Sequence, residues 1–327
     1  MATYLGRGGF IGIGQESTWG TGVAASKYFR ARADSDSLAL ENDDVLVENI
    51  ATRDMVATTD FLRGARRVAG SLSLDLTYAD MGLIWQHAFL DSGATTGSDP
   101  YTHVIDANDS PDLAGKGLSI WVQRGTAPTA HRYAGCKING MTLSFEVGSP
   151  VSCDLDIIGQ NVSLETTPTP TYGTSAVVTP KAANSVGLKI ASTVLVCRSA
   201  TFTINQNYEE RSNIHEVTML EPTPGMIDVT LDAEIEYDSN SAAMFDTDTI
   251  ATADPSTRAV SLQVKGGTAA SEDLKIELET AHIISGGNPQ MTGFGPNTFN
   301  ITWRGFAAAG ASTNAAKVTL INASSSL

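Results

Sequence analysis

The sequence predicts a mainly β protein in which one unit, ordered strand, helix, strand, strand, occurs twice. Three observations lead there: period-two alternation along much of the chain, a ten-residue pattern that recurs in matching surroundings, and sparse charge beside plentiful glycine. Charged residues are 17% of the 327 and glycines number 30. An ordinary soluble domain carries roughly a quarter charged residues, so this chain favours strands and tight turns. Apolar content of 42% is enough to build cores and argues against disorder. The length fits about two domains, each large enough for a core of its own.

The elements follow from local patterns. Gly70–Tyr78 sets Leu72, Leu74 and Leu76 against Ser73, Asp75 and Thr77, the alternation of a half-buried strand. The same alternation predicts strands in Met141–Val147, Ser152–Ile158, Ser199–Asn205, Ile227–Tyr237, Phe299–Trp303 and Ala316–Ile321. One helix stands apart. Met81, Ile84, Trp85, Ala88 and Phe89 share a stripe, with Asp80 expected as N-cap and Gly93 as the stop.

The repeat rests on order. Leu118-Ser-Ile-Trp-Val-Gln-Arg-Gly-Thr-Ala and Val260-Ser-Leu-Gln-Val-Lys-Gly-Gly-Thr-Ala align position for position and match in residue class apart from Trp121/Gln263 and Arg124/Gly266. Upstream of each lies an alternating strand ending in tyrosine, Leu72–Tyr78 and Leu231–Tyr237. A short apolar helical stretch follows each, Asp80–Asp91 and then Ser239–Asp248 with Met244 and Phe245. Downstream of each lies a strand running into glycine, Asp154–Gly159 and Asn300–Gly305. Between the copies, Glu165-Thr-Thr-Pro-Thr-Pro-Thr-Tyr-Gly-Thr suits a semi-rigid linker.

Each copy also holds a long polar excursion ahead of its tyrosine-ending strand, Glu41–Gly70 and Tyr208–Gly225. The first is acidic at one end (Glu41, Asp43, Asp44, Glu48) and basic at the other (Arg53, Arg63, Arg66, Arg67). Loops beyond ~12–15 residues in compact domains are usually functional or disordered. A plain solvated hairpin accounts for this one too. The functional reading is a self-complementary arm whose basic tip docks on the acidic base of a neighbouring copy. Val45, Val47, Ile50, Val56, Phe61 and Leu62 would favour ordering on contact.

A search for chemistry finds no catalytic, cofactor or metal constellation. The run Gly6-Arg-Gly-Gly-Phe-Ile-Gly-Ile-Gly14 fails as a dinucleotide loop, because Ile11 and Ser17 stand where the third glycine is needed. Cys136, Cys153 and Cys197 are too few for a disulfide framework and have no metal-ligand spacing. His87, His103, His131, His215 and His282 are scattered. Asp154/Asp156 and Glu234/Glu236 each share one strand face, as wet-face carboxylates do. Trp85, Trp121 and Trp303 are expected in the core. Net charge of -15 works against gripping nucleic acid, whose phosphates need a basic face. The opening residues contain no apolar leader and no run reaches the ~18 residues of a membrane span, so synthesis in the cytoplasm is expected. The Ser-rich end, Asn322-Ala-Ser-Ser-Ser-Leu, is expected to be a flexible tail.

Two segments bear a family likeness. Ile11-Gly-Ile-Gly-Gln-Glu-Ser-Thr-Trp-Gly-Thr-Gly-Val-Ala-Ala-Ser resembles the N-terminal region of tail tube (major tail) proteins of long-tailed bacteriophages, through Gln15, Glu16, Thr18, Trp19, Gly20 and Thr21. Tyr133-Ala-Gly-Cys-Lys-Ile-Asn-Gly-Met-Thr-Leu-Ser-Phe is similar to that family's Tyr-x-Gly followed by a strand. The resemblance implies two tandem β-sandwich or β-barrel tube domains, each flanked by a short α-helix. They would occupy 28–165 and 188–327, with an N-terminal arm over 1–27 and a linker over 166–187.

It further implies self-assembly. Strands of every subunit would line a β-barrel lumen in rings of six tube domains, so a chain with two copies needs three subunits and pseudo-sixfold symmetry. Stacked rings form a virion tail tube holding a tape-measure protein and later passing DNA without specific binding. Tail terminator and distal tail proteins would meet its ends, with no membrane and no cofactor involved. An acidic lumen would repel phosphate, so many excess carboxylates are expected to line it. The chain is longer than one tube domain requires, which leaves a duplication or an appended outer domain open. The rivals are a baseplate or decoration protein, and a carbohydrate-binding or hydrolytic β-sandwich using the carboxylate pairs above.

Overall fold

The computed structural model describes residues 5, 7–31, 35–48, 58–107, 112–173, 177–180, 187–245, 257–266, 271–286, 289, 295–307 and 314–327. The first half runs β1 (Phe10–Gln15), β2 (Lys27–Arg30), β3 (Ala39–Asn42), β4 (Val45–Glu48), β5 (Thr58–Leu62), β6 (Arg66–Asp75), α1 (Gly82–Phe89), β7 (Ala94–Gly97), β8 (Tyr101–Asp106), β9 (Leu118–Gln123), β10 (Thr129–Glu146), β11 (Ser152–Gly159) and β12 (Asn161–Thr166). The second half runs β13 (Gly187–Ile190), β14 (Thr193–Leu195), β15 (Cys197–Asn205), β16 (Glu209–Arg211), β17 (Leu220–Thr223), β18 (Asp228–Glu236), α2 (Ser239–Phe245), β19 (Arg258–Lys265), β20 (Asp273–Gly286), β21 (Thr298–Gly305) and β22 (Lys317–Asn322). The protein is mainly β, as its alternation predicts.

The strands form one barrel-like network of antiparallel ladders, with β4–β5 and β16–β17 as separate hairpins. The ladders of the first half are β1–β9, β9–β10, β10–β12, β10–β11, β11–β6 and β6–β3. The second half contains β13–β19, β19–β20, β20–β22, β20–β21, β21–β18 and β18–β15, the same plan in the same chain order. In both, one long strand serves two sheets: its first part pairs with β9 and β12, or β19 and β22, and its second part with β11 or β21. The hairpin β7–β8 between helix and strand belongs to the first half.

Among the described residues two ladders join the halves. Gly140–Glu146 of β10 pairs with Asn205–Ser199 of β15, and β8 pairs with β22. Alternating side chains then feed a core shared by both halves, including Leu72, Leu74, Leu143, Leu155, Phe202, Leu231 and Trp303. Trp85 of α1 sits edge-on to Phe89 at 5.4 Å and tilted against Phe202 of the second half at 5.9 Å. Each such buried side chain contributes about 1.5–3 kcal/mol. Trp121 and Trp303 are buried as well.

Three local expectations are corrected. Met81, not Asp80, holds the N-cap position of α1 and provides no side-chain cap; the Asp80 carboxylate instead accepts the Thr77 hydroxyl at 2.9 Å. The helix stops at Leu90, in the left-handed region at φ 58°, before Gly93 is reached. The Ser-rich end is fastened down. His103 meets Asn322 Oδ1 at 3.1 Å and the Ser324 carbonyl at 3.0 Å, and Leu327 packs against the core beside Gly82 and Gly93. A buried histidine distant in sequence supplied the anchor, so composition alone read the segment as free. In α2 the Asp238 carboxylate accepts the Asn240 and Ser241 amides, and Asp246–Asp248 of the expected helix lie outside the described residues.

Candidate functional site

Followed strand by strand, one sheet runs β3–β6–β11–β10–β15–β18–β21–β20 through both halves. Its inner side is the apolar core. Its other side is polar, because most alternate residues of these strands are Ser, Thr, Asn or a carboxylate. Register places them in rows: Ser73, Asp154, Thr142, Thr203, Thr230 and Arg304 in one, Asp75, Ser152, Ser144, Thr201, Asp232 and Thr302 in the next. Glu146, Asp156, Asp228 and Glu234 lie on the same face by the same ladders. Ser73 donates to Asp154, Thr302 to Asp232, and Asn139 to Asp156 at 2.8 Å. Arg304 pairs with Asp228 at 2.8 Å.

The sheet has two ends. β3 has β6 on one side, and His282–Gly286 of β20 has β21 on one side; among the described residues neither has a ladder on the other, the β19 ladder ending at Ala281. Both ends are exposed strand edges, which other chains can pair with.

The charged excursions are hairpins rooted beside these strands. Glu41 lies on β3, Asp43 and Asp44 are exposed in the link to β4, and Arg63 is exposed after β5. Glu48 and Phe61 fall on β4 and β5, and Arg53 lies outside the described residues. Arg66 and Arg67 open β6. Acidic and basic stretches are therefore opposite limbs of one hairpin: Glu41 stands across from Arg67, and Asn42 from Arg66. Arg67 Nε binds Glu41 at 3.0 Å and its other arm binds Glu210 of β16; these carboxylates raise the Arg67 pKa. Exposed pairs of this kind contribute about 0–1 kcal/mol each. The Arg66 amide donates to the Val217 carbonyl at 2.6 Å, and the Met219 amide to the Arg66 carbonyl at 3.1 Å. The root of the first arm thus touches the second arm of the same chain.

The second arm reaches back over the first half. Lys137, 3% exposed on β10, pairs with Glu221 of β17 at 2.9 Å. The Gly115 amide donates to the same carboxylate at 2.8 Å, and the Tyr208 amide to Asn139 Oδ1 at 3.0 Å. Sequence reasoning missed Lys137. Its signal was a lone cation between Cys136 and Ile138 in an otherwise apolar strand stretch.

The N-terminal motif is a buried clasp. Glu16 is fully buried, and its carboxylate accepts the Gly20 amide at 2.8 Å, the Ser119 hydroxyl at 2.7 Å and the Gly135 amide at 3.0 Å. Trp19 Nε1 donates to the Gly135 carbonyl at 2.9 Å. The later part of the glycine run, from Phe10 on, lies in strand β1, where a Cβ at Gly14 would stand 2.3 Å from the Ala24 carbonyl oxygen. The two segments with the family likeness therefore meet in space. A family model described as phage tail tube protein matches residues 6–317. The chain belongs to the phage tail tube protein family. No curated protein matches it.

This tail tube protein is a structural component of the phage tail. No group of His, Cys, Asp and Glu among the described residues could hold a metal, and no helix there is long and apolar enough to cross a membrane. All three cysteines are free; burial pushes the thiols of Cys136 and Cys153 up, and that of Cys197 up to about 11. Asp154 and Asp156, the pair weighed for sugar chemistry, are held by Ser73 and Asn139 as members of the polar face.

Proposed function

We propose that this tail protein assembles head to tail into rings of three chains, that the rings stack into the tail tube, and that DNA leaves along the polar face of the long sheet. The carrying observation is the β10–β15 seam, where the last edge of one ladder plan joins the first edge of the next. The chain presents the same two kinds of edge at its ends, β3 and the second part of β20. A head-to-tail contact that closes in rotation makes a ring, and axial contacts make a tube. The two halves then act as two tube domains, giving six per ring. Closure would also remove the edge hazard.

The polar face becomes the lumen wall in this arrangement. Asp75, Asp154, Asp156, Asp232 and Glu234 would repel phosphate, whereas a basic wall would hold the duplex by counterion release. The tape-measure protein fills the same lumen before DNA, and terminator and distal tail proteins cover the ends. The Val45–Arg63 arm lies on the neighbouring subunit, as the second arm lies on the first half of its own chain. Negative-stain microscopy and the mass of one ring test this reading. Rings with a pore and a mass of three chains are expected. Six chains per ring would remove the tandem arrangement, and a monomer at high concentration would sink assembly altogether.

A further inference from the structure

The seam inside the chain specifies how its two open ends meet. Leu72 and Leu231 each lead a segment ending in tyrosine, Tyr78 and Tyr237. Leu72 pairs with Leu155, which pairs with Met141. Leu231 pairs with Trp303, which pairs with Ile283. Ile283 therefore stands in β20 where Met141 stands in β10. On the other side, Leu231 pairs with Phe202 and Leu72 bridges to Asp36, so Leu38 stands where Ile204 does. Met141 and Ile204 are direct partners across the seam.

Resting on the ring reading above, we propose that His282–Gly286 of one chain pairs antiparallel with the Asp36–Ala39 segment of a second copy in the seam's own register. Ile283 faces the partner's Leu38, His282 the partner's Ala39, and Ser285 the partner's Ser37. Ile284 is the extra residue of a bulge and takes no partner, since the β20–β21 register already skips it. Side-chain chemistry agrees with this alignment. Ile283 rests against the core margin and Leu38 is 3% exposed, so their pairing extends the apolar layer. Ser285 and Ser37 are exposed, and Ser37 bonds Ser71 on the polar face at 2.9 Å, so their pairing extends the polar rows. A slip of one residue would turn Ile283 to the polar face.

Paired cysteines read the register. Facing residues have Cβ atoms about 4.5–5.5 Å apart, close enough for a disulfide after small adjustment. In a Cys197→Ser background, Ser37→Cys with Ser285→Cys should oxidise into reducible bands of two and three chains containing most of the protein. Leu38→Cys with Ile283→Cys, the matching pair on the apolar side, should give the same bands. Ala39→Cys with Ser285→Cys is out of register and should stay monomeric. Rings seen by microscopy in which only that last pair cross-links, or none does, would overturn the register and leave the ring reading standing. Absence of rings from the unmodified protein at high concentration would overturn both.

Discussion

The buried Glu16 carboxylate accepts the Gly135 amide N–H at 3.0 Å across 119 residues of chain, while Trp19 returns a hydrogen bond to the Gly135 carbonyl. Gly135 has φ +67°, and a Cβ there would stand 2.9 Å from the Gln160 Cβ and 3.1 Å from the Trp19 ring. The clasp ties the start of the chain to β10, the strand that also forms the seam between halves. Glu16→Ala leaves the Gly20, Ser119 and Gly135 donors without an acceptor and should lower unfolding free energy by about 2–3 kcal/mol. Gly135→Ala should cost about 1–3 kcal/mol through backbone strain. Urea unfolding at neutral pH measures both; losses below half a kilocalorie for Glu16→Ala would show that the clasp is incidental.

His87 gives a pH dependence with a definite sign. It is 1% exposed on α1, and burial lowers its pKa to about 3, with Lys137 and Lys116 acting in the same direction. The unfolded chain takes up this proton near pH 6.5 and the folded chain refuses it until about pH 3. Stability from this group is complete above the unfolded value and falls with pH below it, by about 1.4 kcal/mol per unit. From neutrality to about pH 5 the loss should reach roughly 2 kcal/mol. Asp106 and Asp273, whose carboxyls burial holds above the usual range, work the other way. Comparison with His87→Leu isolates the histidine: the difference between the two urea midpoints should shift in favour of the leucine variant as pH falls from about 7 to about 5, and parallel curves would refute the assignment.

Arm truncation needs its boundary at Arg63. Removing Asp54–Arg67 would delete the Arg66 backbone contacts with Val217 and Met219 and the Arg67 pair with Glu210, which hold the second arm. Replacing Val45–Arg63 by a short turn between Asp44 and Gly64 spares them. The expected product is a folded chain with unchanged far-ultraviolet dichroism and no tubes in the microscope. Tubes of normal length would end the case for the arm.

Charge on the polar face should matter for DNA and not for assembly. Asp154→Lys, Asp156→Lys and Glu234→Lys combined shift the face by six charges per chain, since each change is worth two. Virions carrying them should assemble and eject DNA more slowly, with the delay shrinking as salt rises. Equal ejection rates at low salt would place these residues off the DNA path.

Legibility in the sequence followed the range of the interactions. The Leu72–Tyr78 and Leu231–Tyr237 strands and the apolar stripe around Trp85 were readable because period two and period 3.6 are local. The extent of β10 was not: only Met141–Val147 alternates cleanly, while Thr129–Gly140 owes its strand state to β9 and β12. The hairpin β7–β8 was missed for the same reason, its Thr-rich limbs being ordered by pairing with β22. Among the charged residues, Glu41 and Arg67 were legible as an acidic and a basic limb. The second carboxylate on Arg67, Glu210 of β16, was not, because it lies 143 residues from Arg67.

The amino-acid sequence alone determined the β class, the recurrence of one element order, the acidity, and the two segments with a family likeness. Each depends on composition or on neighbours along the chain. Tertiary structure decided which strand meets which, and so which carboxylates share a face, which edges are closed by the seam and which stay open. Alternation assigns a residue to one of two faces, but a face acquires a place in the molecule only through ladders between distant segments. Met141 beside Ile204 is such a ladder pair. Its counterpart, Ile283 and Leu38, has one member at each end of the same sheet.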